Sequence, residues 1–353
     1  MSVVTTLFFS VMHAPRPMVR ARALTTKIAI AIPNSLVSRN ARTFRSLALP
    51  LVMSVIAVLA PFIATAAHAD DTGTATTPVL SPAGAGPAGH ILGLDISRYQ
   101  HTPNSNPAKS NAINFAQMYN AGVRFLYING GNSIDKADQL AAGYYAKDHA
   151  AAQAAGLLTG FYYYAHMPNT RESSIVVRNA HNQALKVINR IQGQGGLTAQ
   201  DMPIALDLET SCIRQTVFGI CLRKMSKTLV TEWTTTWLSD IKAATGRTPI
   251  IYSYLSFLTT EVGNNSTIAQ SPLWISTAGI NPATAGATPA AKKRKGGKCY
   301  TSAWMDSSCN LHWTMWQYSS GGSGKSYGLA GGKVDLDIFV GDDATLTAFA
   351  AGQ

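Results

Sequence analysis

The chain has 353 residues and a formal net charge of +11. The positive excess lies at the amino terminus, because residues 1–69 contain seven Arg and Lys and no Asp or Glu. Removing these seven leaves 22 Lys and Arg against 18 Asp and Glu, a net charge of +4. With no basic helix and no RNA-type aromatic motif, this balance excludes a nucleic-acid-binding protein.

The amino-terminal segment has the features of a secretory signal over residues 1–69. A run from Ser46 to Ala66 is almost entirely apolar, three Arg residues precede it, and Ala67-His68-Ala69 follows it. A positive region, an apolar core and an A-x-A site predict cleavage after Ala69. A transmembrane anchor is the alternative, since the run is almost long enough to span a bilayer. Two prolines and the small residues at its end favour cleavage, which predicts a secreted or periplasmic protein without a membrane segment.

Residues 70–90 are rich in Thr, Pro, Ala and Gly without periodicity, which predicts a flexible linker. From residue 91 to residue 349, short apolar runs alternate with amphipathic stretches. The predicted strands are Ile91–Ile96, Phe125–Asn129, Leu158–Tyr164, Pro203–Leu208, Pro249–Tyr252, Leu273–Ser276, Thr314–Tyr318 and Val334–Phe339. The predicted helices are Ile113–Ala121, Asp138–Ala155, Ile175–Ile191 and Lys227–Thr245. Helices separate only the first five strands, and this order predicts one barrel-like α/β domain.

Two carboxylates end the fourth predicted strand. The segment Pro203–Glu209 is a short apolar run that carries Asp207 and Glu209, and residues two apart on a strand point to the same face. Neighbouring carboxylates repel each other's charge, so one pKa rises while the other group stays ionised. A proton donor beside an anion is what cleavage of a glycosidic bond requires. A strand that ends in two solvated acids is the alternative.

Further carboxylates fall at the ends of other predicted strands. Asp95 ends the first strand, and Asp335 and Asp337, again two residues apart, lie on the last. In a barrel of parallel strands, the carboxyl ends meet on one face, and that face carries the chemistry. The sequence therefore predicts one acidic pocket built from distant segments.

Side chains on the third predicted strand also point towards such a pocket. Tyr162 and Tyr164 share one face of the strand, and Tyr163 takes the other. A tyrosine at the barrel mouth can stack on a sugar or hydrogen-bond to it, and core packing is the alternative.

All four cysteines, Cys212, Cys221, Cys299 and Cys309, lie in the exported part of the chain. Their even number and the expected export predict disulfides, and four cysteines allow three pairings. Local pairing, Cys212 with Cys221 and Cys299 with Cys309, closes two short loops and is favoured. The spacings match no zinc or redox motif, and we expect no metal and no cofactor.

The segment Gly93-Leu94-Asp95-Ile96-Ser97-Arg98-Tyr99-Gln100 opens the predicted domain. The segments that follow are Ala154-Ala155-Gly156-Leu157, Gly160-Phe161-Tyr162, Leu206-Asp207-Leu208-Glu209, Ile251-Tyr252, Leu273-Trp274-Ile275, Trp316-Gln317-Tyr318 and Val334-Asp335-Leu336-Asp337. In this order they resemble the motifs of glycoside hydrolase family 25, the lysozymes of N-acetylmuramidase type. Each motif is weak alone, but the ordered set spans nearly all of residues 91–345 and is fairly specific.

The resemblance implies a fold and a set of roles. The fold is a single-domain, irregular TIM-like (β/α)5(β)3 barrel, in which five β/α units precede three strands. Glu209 matches the general acid of the family, Asp207 its partner, and Asp95 and Asp335 the two further acids of the site. The residues expected to hold the sugar or its 2-acetamido group are Tyr162, Trp274 and Gln317. We place Asp337 with these substrate-binding residues.

The chain also departs from the family pattern. Asn129 stands where the family often has Lys, Tyr163 stands where it usually has His, and both cysteine segments resemble insertions. The acids are intact, so these departures affect the expected substrate preference rather than the expected chemistry.

The sequence therefore predicts a secreted, monomeric muramidase that acts on the glycan strands of peptidoglycan. It is expected to cleave the β-1,4 bond between N-acetylmuramic acid and N-acetylglucosamine with retention. Asp207 would serve either as nucleophile or to orient the acetamido group of the substrate. Two alternatives stay open: a cell-wall-binding barrel without turnover, and a glycosidase for another acetamido-sugar polymer such as chitin.

Overall fold

The computed structural model of the protein describes residues 86–262, 264–289 and 302–353. The predicted signal, its cleavage site, most of the predicted linker and Cys299 lie outside these ranges. The described residues all belong to the unit Thr72–Gln353. Among their helices, none combines the length and the apolar character that crossing a bilayer requires.

Ten strands form the sheet structure of the described ranges. They are β1 (Ile91–Ile96), β2 (Val123–Asn132), β3 (Leu158–Tyr164), β4 (Ala205–Asp207), β5 (Cys212–Gln215), β6 (Cys221–Lys224), β7 (Ile250–Tyr254), β8 (Leu273–Ser276), β9 (Met315–Ser323) and β10 (Lys333–Phe339). β5 and β6 pair as a separate antiparallel hairpin, and the other eight close a barrel in the order β1-β10-β9-β8-β7-β4-β3-β2. Neighbouring barrel strands are parallel except at β10, which is antiparallel to both β9 and β1.

Helices follow the first five barrel strands. They are α1 (Phe115–Asn120), α2 (Asp135–Ala154), α3 (Ser173–Gly193), α4 (Lys227–Thr245) and the short α5 (Leu255–Phe257), which a π-helical turn continues over Leu258–Val262; α6 (Asp343–Ala350) comes last. Capping residues determine both ends of α4. The Ser226 side chain accepts a hydrogen bond from Leu229 N, and Gly246 ends the helix with φ of 70°. With β8, β9 and β10 joined without long helices, the predicted (β/α)5(β)3 barrel is confirmed.

Large side chains fill the interior of the barrel. Phe125, Tyr127 and Trp274 are at most 2% exposed, and their rings occupy space that a β-carbon would need on the neighbouring strand. A Cβ at Gly93 would lie 2.1 Å from the ring of Phe125, and a Cβ at Gly160 would lie 2.1 Å from the ring of Tyr127. Both glycines therefore allow bulky residues on β2 to pack inside the barrel.

The β5–β6 hairpin, the short α5 with its π-helical turn, and α6 were not among the predicted elements. The β5–β6 hairpin extends from the barrel and buries few side chains, and its apolar run, Val217 to Leu222, lies mainly in the exposed turn rather than along either strand. Helix α6 packs Leu346 and Ala350 into the interior cluster beside Ile91 and Phe339. It covers the end of the barrel where β1 begins and β10 ends, and this packing is what a short, Thr-rich segment needs to be helical.

The local cysteine pairing is confirmed for the first pair. Cys212 and Cys221 form a disulfide with their Cα atoms 5.7 Å apart, which ties β5 to β6. Cys309 is also disulfide-bonded. The predicted pair Cys299–Cys309 cannot be described further, because Cys299 lies outside the described residues.

Candidate active site

A cavity of about 210 Å³ opens at the end of the barrel where the parallel strands terminate. We call it the inner cavity. Its lining brings together seven of the eight residues expected at the site with Tyr252 and Ser320: Asp95, Tyr162, Asp207, Glu209, Trp274, Gln317 and Asp335. Segments far apart in the sequence thus meet at one face, as the barrel argument predicts.

Asp207 and Glu209 both face the inner cavity, although the strand that carries them is shorter than expected. β4 ends at Asp207, and Glu209 lies two residues beyond it. The chain stays extended beside β7, because Leu208 N donates to Tyr252 O at 3.0 Å and Ser253 Oγ donates to Leu208 O at 2.7 Å. This extended course keeps the two carboxyl groups on the same side, where they hydrogen-bond to each other.

Asp95 and Asp335 meet for a different reason from the one expected. In a barrel of parallel strands every acid would lie at a carboxyl end, and for Asp335 this expectation is wrong. β10 runs antiparallel to its neighbours, so its beginning lies at the mouth of the barrel, and Asp335 is the third residue of the strand. The register places Asp335 directly opposite Asp95 on β1.

The carboxyl groups of the inner cavity hold protons more firmly than ordinary acids. Burial, followed by the charge of Glu209, raises the pKa of Asp207 well above 3.8, and burial raises the pKa of Glu209. Burial and the charge of Asp335 raise the pKa of Asp95 to about 8. Burial and the charge of Glu209 raise the pKa of Asp335 to about 6. Near neutral pH the site therefore contains a protonated acid, Asp95, opposite an ionised one, Asp335.

Gln317 is fixed by hydrogen bonds on both sides of its amide. Tyr252 Oη and Ser276 Oγ each donate to Gln317 Oε1 at 2.9 Å. Because its oxygen is thus occupied, the amide nitrogen faces Asp95 and donates to Asp95 Oδ2 at 2.7 Å. Gln317 therefore orients Asp95 and favours its ionised form against the effect of burial.

Asp337 does not line the inner cavity, which corrects the expectation that it contacts substrate. Its side chain is fully buried, and its Oδ1 accepts a hydrogen bond from Trp274 Nε1 at 2.8 Å. Asp95 and Asp337 also hydrogen-bond to each other, and this bond lowers the pKa of Asp95 and raises that of Asp337. Asp337 is thus the protonated partner and donates to Asp95. Asp335 and Asp337 are two residues apart and so face the same side of β10. Because β10 runs from the mouth of the barrel into its interior, Asp337 lies deeper than Asp335.

Aromatic side chains make up the rest of the lining. The Trp274 ring lies 4.7 Å from the Tyr252 ring and 6.5 Å from the Tyr162 ring, edge to face in both cases. Tyr163 points out of the barrel, where its ring stacks on that of Trp237 on α4 at 6.1 Å. The alternation on β3 is therefore as predicted, with Tyr162 at the cavity and Tyr163 in the outer core.

Three residues of the site had no role in the sequence argument. Tyr252 belongs to the Ile251-Tyr252 motif and ends the inward face of β7, which was the available signal. Ser276 orients Gln317, and Ser320 lines the inner cavity. No sequence pattern marks either serine, because the role of each depends on residues that only the folded barrel brings close to it.

The lining of the inner cavity suits a neutral, polar ligand. It combines carboxyl, phenol, indole and amide groups, and no Lys, Arg or His of the described ranges lines it. Within the same ranges, no group of three acidic, His or Cys side chains has the arrangement of a metal site. The chemistry available in the cavity is therefore proton transfer and stabilisation of positive charge by carboxylates.

Comparison with known proteins places this site in a family context. The family profile described as glycosyl hydrolases family 25 matches residues 94–327. Lysozyme M1 of Streptomyces globisporus is 26% identical over 270 residues, which cover 74% of this chain and 71% of that protein.

Solved structures share the fold. The bacterial lysozyme from Streptomyces coelicolor aligns with a TM-score of 0.51 at 24% identity, covering 74% of this chain and 98% of that one. A family 25 glycosyl hydrolase from Bacillus anthracis aligns with a TM-score of 0.50 at 16% identity, covering 74% and 93% of the two chains.

Proposed function

The chain belongs to glycosyl hydrolases family 25 and is a glycoside hydrolase, and we propose that it is a muramidase of peptidoglycan. The bond it cleaves is the β-1,4 linkage between N-acetylmuramic acid and N-acetylglucosamine. The observation that carries this proposal is the hydrogen-bonded acid pair Asp207–Glu209, which faces Asp95 and Asp335 across one cavity. The glycan-cleaving relative Lysozyme M1 supports the substrate class.

Glu209 is the general acid in this proposal. Asp207 is 6% exposed, whereas Glu209 is less buried and also lines a second cavity on its far side. A carboxyl at the boundary of two cavities reaches an oxygen that joins two sugars. Burial raises the pKa of Glu209 although the hydrogen bond to Asp207 lowers it, so the acid pair as a whole can hold the proton that Glu209 delivers to the departing oxygen.

Asp207 acts on the other side of the cleaved bond. We propose that it orients the 2-acetamido group of the substrate, whose oxygen attacks the anomeric carbon and gives retention. A buried acid beside Tyr162 and Tyr252 supports this route, because an amide needs both a hydrogen-bond acceptor and close polar neighbours. Asp335 and Asp95 would then stabilise the positive charge that develops on the sugar ring.

The retaining route has two versions that experiment separates. Direct attack by Asp207 forms a covalent glycosyl-aspartate, whereas the assisted route forms none on the protein. Mass spectrometry of enzyme quenched during turnover should show no adduct on Asp207. NMR of the first product should show the β-anomer, and an initial α-anomer would contradict retention.

The proposed activity is tested with Glu209→Gln on purified cell walls. Glutamine keeps the size of the side chain but has no carboxylic proton, so the rate of turbidity loss should fall by about 10²–10⁴-fold. Glu172→Gln is the matched control, because Glu172 is exposed and outside both cavities, and it should leave the rate unchanged. Digested walls should yield fragments with N-acetylmuramic acid at the reducing end.

Two results would contradict this function. A wild-type protein that binds walls without releasing reducing ends would be a binding barrel. Faster release of reducing ends from chitin than from walls would identify another acetamido-sugar polymer as the substrate. A Glu209→Gln variant that kept more than about a tenth of the rate would remove Glu209 from its role.

A further inference from the structure

A second cavity, of about 260 Å³, lies on the far side of Glu209 from the inner cavity. We call it the outer cavity. The hairpin β5–β6 forms one of its walls, and the segment after β7 forms the opposite wall. The residues that matter here are Glu209, Ser211, Lys224, Tyr254, Phe257 and Glu261. Glu209 is common to both cavities, so its carboxyl group lies on the wall between them.

The charges in the outer cavity neutralise each other. Lys224 Nζ lies 2.6 Å from Glu261 Oε1, and Ser211 Oγ donates to Glu261 Oε2 at 2.9 Å. Burial alone would raise the pKa of Glu261, but the hydrogen bonds from Lys224 and Ser211 outweigh it and lower the pKa, so Glu261 is ionised. The cavity therefore carries no net charge from this pair.

The remaining groups are those that bind sugars. The lining includes the hydroxyl groups of Thr210, Ser256 and Thr260. Tyr254 is 36% exposed, and its ring meets that of Phe257 edge to face at 5.8 Å. An exposed aromatic ring surrounded by hydroxyl groups and a neutralised ion pair matches the apolar face and the polar edge of a pyranose.

We propose that the outer cavity binds the sugar on the leaving-group side of the cleaved bond, and that the disulfide-tied hairpin is what builds this site. The proposal rests on the proposed function. A general acid must contact the oxygen between two sugars, and Glu209 separates two cavities that can each hold one of them. The ligand class is a neutral acetamido-pyranose within a glycan strand.

The hairpin needs a covalent cross-link to form a fixed wall of the outer cavity. Of its side chains only Ile213 is buried, and Val217 and Phe218 near its turn are 95% and 87% exposed. A two-stranded hairpin with so little core is marginally stable. The Cys212–Cys221 disulfide therefore holds the two strands of the wall together, and the Lys224–Glu261 ion pair connects them to the opposite wall.

Calorimetric binding to the inactive Glu209→Gln protein tests the proposal. One probe is the disaccharide N-acetylglucosaminyl-N-acetylmuramic acid, which should bind only on the inner-cavity side of Glu209. The other is the tetrasaccharide of two such repeats, which extends across Glu209. We expect the tetrasaccharide to bind more tightly than the disaccharide, and Tyr254→Ala to reduce this advantage by about tenfold, near the upper limit for an aromatic contact.

Two further variants separate the cavity wall from the rest of the hairpin. The double variant Cys212→Ser with Cys221→Ser should lose the tetrasaccharide advantage while binding the disaccharide normally. Phe218→Ala is the matched control, since Phe218 is on the same hairpin but does not line the outer cavity, and it should change neither affinity. Thermal unfolding shows whether the double variant is folded. The Tyr254→Ala variant keeps the disulfide, so its result tests the proposal whether or not the double variant folds.

The outcomes separate this proposal from the proposed function. A tetrasaccharide that binds no better than the disaccharide would overturn the proposal, as would an advantage that survives Tyr254→Ala. In both cases wild-type enzyme would still cleave cell walls. If the proposed function itself failed, wild-type enzyme would not cleave walls and the disaccharide would not bind the inner cavity.

Discussion

Asp337→Asn should leave the enzyme active, although it removes a carboxyl group next to the site. Asp337 is fully buried, accepts a hydrogen bond from Trp274 Nε1 at 2.8 Å, and donates to Asp95. Burial, together with the charge of Asp95, raises its pKa well above 3.8, which favours the neutral acid. Asparagine has the same shape, accepts through its oxygen and donates through its nitrogen.

The size of the effect follows from counting the hydrogen bonds that survive. Both are kept in Asp337→Asn, so the free energy of unfolding should change by less than about 1 kcal/mol and kcat/KM by less than about threefold. Asp337→Leu removes both. Trp274 Nε1 is then a buried donor without an acceptor, which costs about 1–3 kcal/mol. Asp95 also loses a donor that stabilises its anion, and kcat/KM should fall by about tenfold or more.

Initial rates of wall turbidity loss and thermal unfolding, each from pH 4 to 8, measure these effects. Asp335→Asn is the matched control, because Asp335 lies two residues earlier on β10 and lines the inner cavity. Its pKa of about 6 means that it is ionised at pH 7, so the same substitution removes a charge there and should lower kcat/KM by at least about tenfold. If Asp337→Asn were as damaging as Asp337→Leu, Asp337 would have to act as an anion, and the reasoning would be refuted.

Three other predictions concern stability and processing. Asp95 and Asp335 have pKa values of about 8 and about 6 against an ordinary 3.8, so the folded state binds more protons than the unfolded chain. The stability that these two acids contribute should therefore fall as the pH rises from 4 to 8, against the opposite contribution of the half-buried His90 and His166, whose pKa values are lowered. The melting temperature of Asp95→Asn should therefore fall less, or rise more, over this range than that of the wild type; the same pH dependence in both proteins would refute it. Gly93→Ala forces a Cβ to 2.1 Å from the Phe125 ring and should cost about 1–3 kcal/mol in chemical denaturation, whereas an unchanged midpoint would show that the ring can move. Intact-mass measurement of exported protein should give a chain starting near Asp70 with two disulfides, and free thiols would contradict the pairing.

Much of the barrel was predictable because its strands are nearly continuous apolar runs. Such runs arise wherever a parallel strand is covered by helices on one side and by the barrel interior on the other. Helix α4 was predictable to the residue, since Ser226 and Gly246 mark its ends. The acids at 95, 207 and 209 were predictable for the same reason, as each ends an apolar run.

Strand direction and depth were not predictable from local pattern. Nothing in Val334-Asp335-Leu336-Asp337 states that β10 is antiparallel to β1, and only that direction decides which of its two acids reaches the mouth. The proton positions are equally tertiary, because the pKa of Asp337 is raised by burial and by the charge of Asp95, which is distant in sequence. The outer cavity depends on a hairpin stabilised by a disulfide and an ion pair, and hydrophobic periodicity detects neither.

The carboxyl groups that line the inner cavity are costly to the folded protein, and this cost indicates what they do. Buried acids that serve stability are paired with cations, as Asp138 is with Arg190 at 2.9 Å. Over the described part of the chain, no Lys, Arg or His lines the inner cavity, and the pKa values there are raised instead. Bound protons thus neutralise these carboxyl groups, as a cationic side chain neutralises Asp138. A positive charge that develops on a bound sugar would let these acids ionise without that penalty, so the site favours a cationic transition state over a neutral ground state. Differential stabilisation of this kind is the requirement for catalysis and is not needed for binding alone.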